Sequence, residues 1–465
     1  MDREKKRRRQ SYRVIASEII MTLAVIVTVI SLAFVVSGYW VNSDFKVERQ
    51  GLLQISSVPT GAEVIIDDKA AWLQRTNTSK VLPSGKHTIK LKKDGYDSWS
   101  KTVEISEGLL YRIHYPRLFL LKREKEKILD ISGTTLASVS PNREMAIMIN
   151  NTTEWKLINL DREKAEINII NTSEYFSSAS VAEGASVGLF GGEIISIDWA
   201  KDNSHVLFKV KNGEEIEWAL IDVKNLKNST NLTKEFGATF TDVRILDNSA
   251  NSLLVVQNNN LHKIDVSGKV ISAIIVDNVV SFDHFENEIA YVAKLDSEFE
   301  VGITKIGDSK LEKLETITDP AKILISKFYD DKYLTIIQND NVNLFKEDDF
   351  SRIQEFRLSF VPEKMKVGHN GEFIIMFNGA NIATLDMEST NIIEWSLGGE
   401  RYGWLDDDMI YAVNGGELTV YDFDGLNHRV LASNVSDHFP VTITSDKWLY
   451  YISDDSLIRE WLVEH

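Results

Sequence analysis

Residues Tyr402 to Gly425 read YGWLDDDMIYAVNGGELTVYDFDG. An aromatic start leads through Asp406-Asp407-Asp408 into the apolar run MIYAV, then through Asn414-Gly415-Gly416 into a third stretch that ends at Asp424-Gly425. Short apolar runs bounded by Asp, Asn and Gly are strand signals, and runs without polar alternation belong to strands covered on both faces. The same unit recurs along the chain. It appears as SVSPNREMAIMINNTTEWKLINLD from Ser138, SIDWAKDNSHVLFKV from Ser196, VRILDNSANSLLVVQNNNLHKIDVSG from Val243 and VSFDHFENEIAYVAK from Val280. It returns as ISKFYDDKYLTIIQNDNVNLFK from Ile325, MKVGHNGEFIIMFNGANIATLD from Met365 and VTITSDKWLYYISDDSLIREWL from Val441.

From the second copy onward the starts lie about 37 to 47 residues apart, near the length of one four-stranded propeller blade. Eight copies predict an eight-bladed β-propeller over residues 128–465. Seven blades is the alternative, because residues 161–194 are irregular, and a pair of β-sandwiches is the competing architecture. The phrases Ser140-Pro141-Asn142-Arg143 and Trp199-Ala200-Lys201-Asp202-Asn203 resemble the Ser-Pro-Asp-Gly turn of the WD40-like or TolB-like propeller repeats found in bacterial envelope proteins. The Trp-Asp dipeptide of true WD40 repeats is missing, so the resemblance carries architecture alone.

Upstream of the repeats, residues 44–127 hold sixteen basic and eleven acidic side chains, whereas residues 128–465 hold 29 Lys and Arg against 55 Asp and Glu. That change from net +5 to net -26 predicts a domain boundary near Lys127. LLQISSVPTGAEVIIDD alternates apolar and polar residues around a turn at Pro59-Thr60-Gly61, and HTIKLKK and SWSKTVEI flank a turn at Asp94-Gly95. A small β-sandwich or open barrel follows. Pro59, Gly61, Ala62, Gly85, Gly95, Tyr96 and Trp99 fall in the order and spacing of the PEGA domain, which residues 51–114 resemble, with Thr60 where the family has Glu. The resemblance implies a cell-surface protein and a structural or adhesive module without catalytic residues. Alternation places Lys86, Lys90 and Lys92 on one face of a strand, and with Lys93 they form a candidate surface for anionic lipid or wall polymer.

At the start of the chain, residues 1–13 carry seven basic side chains, and Ile19 to Val36 contain no charge. Eighteen apolar residues span about 27 Å as a helix, near the thickness of a bilayer core. Residues 14–40 therefore read as a single transmembrane helix with the basic tail in the cytoplasm, Tyr39 and Trp40 at the outer interface, and everything beyond outside the cell. A cleaved signal peptide is the alternative, although its apolar core is commonly about 7 to 15 residues.

Composition limits the chemistry. No Cys is present, so disulfides, thiolate metal sites and a Cys nucleophile are excluded, and a formal net charge of -17 argues against nucleic acid as a partner. The nine His residues show no metal-ligand spacing. Asp406-Asp407-Asp408 and Asp330-Asp331 offer oxygen ligands of the kind calcium takes, yet Asp also favours turns. Gly184-Ala185-Ser186-Val187-Gly188 satisfies the G-x-S-x-G pattern, but its flanks lack the strand and helix of a nucleophile elbow. The expectation is an all-β ectodomain on one N-terminal helix, without cofactor or catalytic residues, that binds an envelope protein or cell-wall glycan. A polysaccharide hydrolase or lyase with paired carboxylates on a propeller face, and a purely structural envelope component, are the alternatives.

Overall fold

A computed structural model describes residues 18–30, 32–33, 39–41, 47–162, 164, 166–180, 188–246, 248, 250–308, 310–346, 350–368, 370–397, 401–436 and 440–463. Contacts divide the chain into two units, Met1–Lys122 and Arg123–His465. The division falls five residues before the boundary expected from charge. The cause is a strand, Lys125–Asp130, whose hydrogen bonds belong to the end of the chain.

Among its described residues the first unit contains eight strands: β1 (Tyr39–Val41), β2 (Val47–Ile55), β3 (Glu63–Ile66), β4 (Lys69–Arg75), β5 (Thr78–Pro83), β6 (Gly85–Lys92), β7 (Trp99–Ile105) and β8 (Leu110–Ile113). One sheet has the order β1-β2-β5 with β8 parallel on β2, and the other has the order β4-β3-β6-β7. Period-two alternation turns Leu53, Ile55, Val64, Ile66, Ile89, Leu91, Trp99 and Val103 inward, all buried. Residues 18–30 and 32–33 are helical, and Thr22 and Thr28 return their hydroxyls to the carbonyls of Glu18 and Ala24. No helix among the described residues is long and apolar enough to cross a membrane. The basic tail 1–13 and residues 14–17, 31 and 34–38 of the expected span lie outside the described residues. Tyr39 and Trp40 do not end that span: they begin β1 and pair with Arg49 and Glu48 of β2.

Among its described residues the second unit is a propeller-like succession of eight four-stranded antiparallel sheets. Sheets 1 to 7 occupy residues 134–171, 193–231, 242–271, 279–317, 322–357, 364–396 and 401–432, each built from four strands consecutive in the chain. Sheet 8 takes three strands from residues 442–461 and its fourth from β9 (Lys125–Asp130), which pairs antiparallel with Ser456–Trp461. Second strands are largely buried, as in Glu288–Lys294, whereas fourth strands such as Ser351–Arg357 are largely exposed. The first strands of sheets 4 and 5 pack on one another, the position of inner strands in a propeller. Each core is shared between neighbouring sheets: Trp155, Phe176 and Phe208 join sheets 1 and 2, and Ala146 and Met148 of sheet 1 pack on Trp448 and Tyr450 of sheet 8.

Turn chemistry explains the repeated Asn, Asp and Gly. Asn258-Asn259, Gly415-Gly416 and Asp454-Asp455 each link a second to a third strand in two residues with positive φ, the geometry that suits hairpin twist and favours these residue types. The irregular stretch between sheets 1 and 2 holds a short pairing of Ala179–Ser180 with Leu189–Phe190, and Phe190 packs edge-on against Trp155.

Closure rests on Glu460, whose side chain is fully buried. It accepts from Arg123 Nε at 2.6 Å and Lys125 Nζ at 2.9 Å, and the Tyr451 hydroxyl also donates to it. Arg123 extends the seam by donating to the Leu431 carbonyl of sheet 7 at 2.5 Å. Removing one partner of a buried ion pair strands the other, so Glu460→Ala should cost about 3 kcal/mol in urea unfolding of the full chain, with a smaller loss for Glu460→Gln. Equal stability of Glu460→Ala and the parent would show that the seam does not depend on this carboxylate.

Candidate functional site

The inner strands carry the charges that the repeat consensus does not explain. Arg244 of sheet 3 donates through Nη1 to Asp283 of sheet 4 at 3.0 Å and approaches Asp242 with Nε at 3.4 Å. The second Asp283 oxygen accepts the Ile325 N–H of sheet 5 at 3.0 Å. One carboxylate thus links three consecutive inner strands. Arg244 also stacks over the Phe282 ring, 4.6 Å from its centroid. Burial raises the Asp283 carboxyl, opposed by Arg244 and by the N–H groups of Ile325 and His284.

Asp198 of sheet 2 and Lys366 of sheet 6 act on one another across this cluster. Burial pushes the Asp198 carboxyl up against the Ser196 hydrogen bond and the Arg244 charge. Burial also pushes the Lys366 ammonium down, with Lys364 adding to the shift and Asp198 opposing it. Both side chains are nevertheless solvent-accessible. In a propeller the innermost strands surround a central channel, and Asp198 and Lys366 stand on the first strands of their sheets.

A cavity of about 450 Å³ opens between sheets 3 and 4 where their first strands begin. Phe282, Val256 and Val279 supply apolar lining, and Asp242, Arg244, Asn259, Asn278 and Lys294 supply polar groups. An apolar pocket with a few convergent polar groups is the usual form of a small-ligand site. A second pocket, about 290 Å³, lies at the corresponding edge between sheets 1 and 2 and is lined by Thr135, Asn150, Asn151 and Glu193 among others. In an antiparallel sheet the start of the first strand and the end of the second share one edge, so both cavities open on the same face of the ring.

The residues singled out by sequence fall in several places. Ala62 and Trp99 are fully buried, Tyr96 nearly so, and Gly61 (φ +81°) and Gly95 (φ +79°) hold turn conformations that a side chain would strain. Pro59 follows Val58 through a cis bond, and Gly85 (φ +132°) begins β6. Lys86, Thr88, Lys90 and Lys92 do share the outward face of β6. Their charges are not equally free: Lys90 pairs with Asp68 at 2.6 Å, and Lys93 donates to the Thr60 carbonyl at 2.8 Å and lies over Tyr96. Lys86 stands opposite Glu104, and Lys92 opposite Glu63.

Ser186 lies outside the described residues. Gly188 at the end of its motif accepts the Thr153 N–H at 3.0 Å and donates its own N–H to the Thr153 hydroxyl at 3.0 Å. The acidic turns serve local structure. Asp406 accepts the N–H groups of Asp408 and Met409, Asp407 pairs with Arg143 at 2.6 Å, and Asp331 with Lys346 at 2.8 Å. The lumen residues escaped the sequence reading because each stands alone in its own repeat. A usable signal was present: charges at Asp198, Arg244, Asp283 and Lys366 interrupt first strands.

With this geometry the chain is defined as an all-β protein that couples a small two-sheet module to a propeller-like ring. Comparison agrees for the module: residues 50–116 match the PEGA domain. No curated protein matches the chain. Among solved structures, Hsv2 of Kluyveromyces lactis is similar at 9% identity over 65% of this chain and 98% of that one, with a TM-score of 0.44. The computationally designed Ika8 protein is similar at 10% identity over 73% and 100%, with a TM-score of 0.43. An oligogalacturonate lyase in complex with manganese is similar at 12% identity over 57% and 88%, with a TM-score of 0.37.

His284 gives this region a pH dependence. Burial, with Arg244 and Lys201 nearby, lowers its imidazole from 6.5 to about 4, and its Nδ1 has no hydrogen-bond partner. The unfolded chain binds the proton more readily, so the contribution is fully present above pH 6.5 and is lost as pH falls toward 4. The parent should lose about 3 kcal/mol relative to His284→Gln over that window, read from paired urea titrations. Parallel stability curves would contradict a buried neutral imidazole.

Proposed function

We propose that this chain is a binding or scaffold protein of the bacterial cell envelope. The charge-free segment from Ile19 to Val36 anchors it in the membrane, the basic tail stays in the cytoplasm, and the propeller presents a binding face for a protein or a glycan. The observation that carries this reading is the union in one chain of a PEGA-matching module with a closed ring of sheets whose two cavities open on one face. Support for the anchor comes from the exposed apolar side chains of Ile19, Ile20, Leu23, Ile26 and Ile30 on a helix whose described residues carry no charge after Glu18. Such a surface is unstable in water and matches a hydrocarbon phase.

The same reading makes the protein a binder rather than an enzyme. General acid and base catalysis needs carboxyl groups free to exchange protons with a substrate. Asp242 and Asp283 are instead engaged by Arg244, and Glu288 by Lys332 and Lys305. On the module, the outward face of β6 is a secondary surface for anionic headgroups or wall polymers, carried by Lys86 and Lys92 because Lys90 is already paired with Asp68.

The test is topology in wall-stripped bacterial cells expressing the chain with a tag at each terminus. External protease should remove the C-terminal tag, spare the N-terminal one and leave it in the membrane fraction. Protection of both tags, or release of an intact soluble chain, would refute the anchored arrangement.

A further inference from the structure

One sheet of the small module carries on its outward face an apolar row that the core does not use. Leu52 of β2 is the register partner of Val81 on β5 and of Leu110 on β8, so the three side chains stand abreast on one side of the sheet. They are 38%, 55% and 42% exposed, and Leu109, 63% exposed, extends the row just before β8. The alternate positions Leu53, Ile55, Leu82 and Ile113 are buried on the other side. Single exposed apolar residues are ordinary on a protein surface, whereas a contiguous row marks a surface that meets something. In the next row Gln54 stands between Ser79 and Arg112, all exposed, so polar groups and one cation border the apolar strip.

Chain connectivity points to what lies against this face. Val36, the last residue of the charge-free run, and Tyr39, the first of β1, are three peptide steps apart, which span at most about 10 Å. Tyr39 pairs with Arg49 of β2, and Leu52 lies three residues, about 10 Å, further along the same strand. With Ile19 to Val36 in the bilayer, the strand that bears Leu52 is leashed to the edge of the hydrocarbon, beside a headgroup layer roughly 5 to 8 Å deep. We propose that the row of Leu52, Val81 and Leu110 is a membrane-docking surface that beds the module on the outer leaflet. This rests on the anchored reading of the chain and adds to it the orientation of the module. Apolar side chains gain by leaving water for the acyl boundary, and a guanidinium at the margin of the row suits lipid phosphate. The lysine face of β6 belongs to the other sheet and takes no part in this contact, which leaves it for wall polymer.

Because the chain has no Cys, a single substitution gives a unique labelling site. The full chain carrying Val81→Cys, Leu110→Cys or, as a reference on the exposed side of β7 in the other sheet, Glu104→Cys is labelled with bimane. It is then reconstituted in phosphatidylcholine–phosphatidylglycerol vesicles that contain nitroxide lipid. An alkaline carbonate wash reads the anchor separately. In vesicles that retain the chain, lipid quenching at 81 and 110 should exceed that at 104 by about threefold or more. Retention with equal quenching at all three sites would overturn the docking surface and leave the anchor standing. Shielding of 81 and 110 from aqueous iodide without lipid quenching would overturn it in favour of a protein occupant, a second copy included. Release of the chain by carbonate would overturn the anchored reading and this surface with it.

Discussion

The pairing of β9 with the final strand Ser456–Trp461 is the constraint on which the ring depends. A series of sheets stacked face against face has two ends, and each end exposes an apolar surface until the two meet. Here they meet through Ala146, Met148, Trp448 and Tyr450, with the Tyr450 hydroxyl donating to the Leu160 carbonyl at 2.6 Å. Packing alone leaves the last sheet one strand short, and β9 supplies it from more than three hundred residues away in sequence. The entropy of closing so long a loop grows only logarithmically, so a modest set of specific bonds suffices. Glu460 with Arg123 and Lys125, and Arg459 with Glu126 between the rings of Trp448 and Trp461, provide that set.

Function follows from closure. A lumen exists only because the first strands of the sheets are forced together, and this bonds Arg244 to Asp283 and lets the charges of Asp198 and Lys366 act on one another, from four different repeats. Enclosure then raises the carboxyls, lowers the ammonium and leaves His284 neutral, because every charge there has lost part of its hydration. The outer strands carry ordinary solvated charge. The ring therefore separates an acidic, water-exposed exterior from an interior where individual charges have chemical weight.

Much of the architecture was legible in the sequence, for particular reasons. Eight apolar runs such as EIAYVAK and FIIMFN repeat at blade length, and each became a buried second strand. Pro59, Gly61, Ala62, Gly95 and Trp99 pointed to the small module because turn geometry and a buried indole tolerate few replacements. β9 was not legible. KEKILD has too many charges to read as a strand, and its partner is at the other end of the chain. Nor was the lumen, because residues about 40 positions apart become neighbours only through ring closure. The lysine face of β6 was read correctly in register but not in charge, since Asp68 neutralises Lys90 from a hairpin whose turn position no alternation pattern reveals.

Native-state hydrogen exchange of the full chain at the amides of Lys125–Asp130 and Ser456–Trp461 tests the closure most directly. If β9 completes sheet 8, the paired amides on both segments exchange together, at a rate set by opening of the whole ring and comparable to the second strands of the other sheets. Rapid exchange of Lys125–Asp130, with Ser456–Trp461 behaving as a frayed edge while the other sheets stay protected, would contradict the closed ring and the lumen that depends on it.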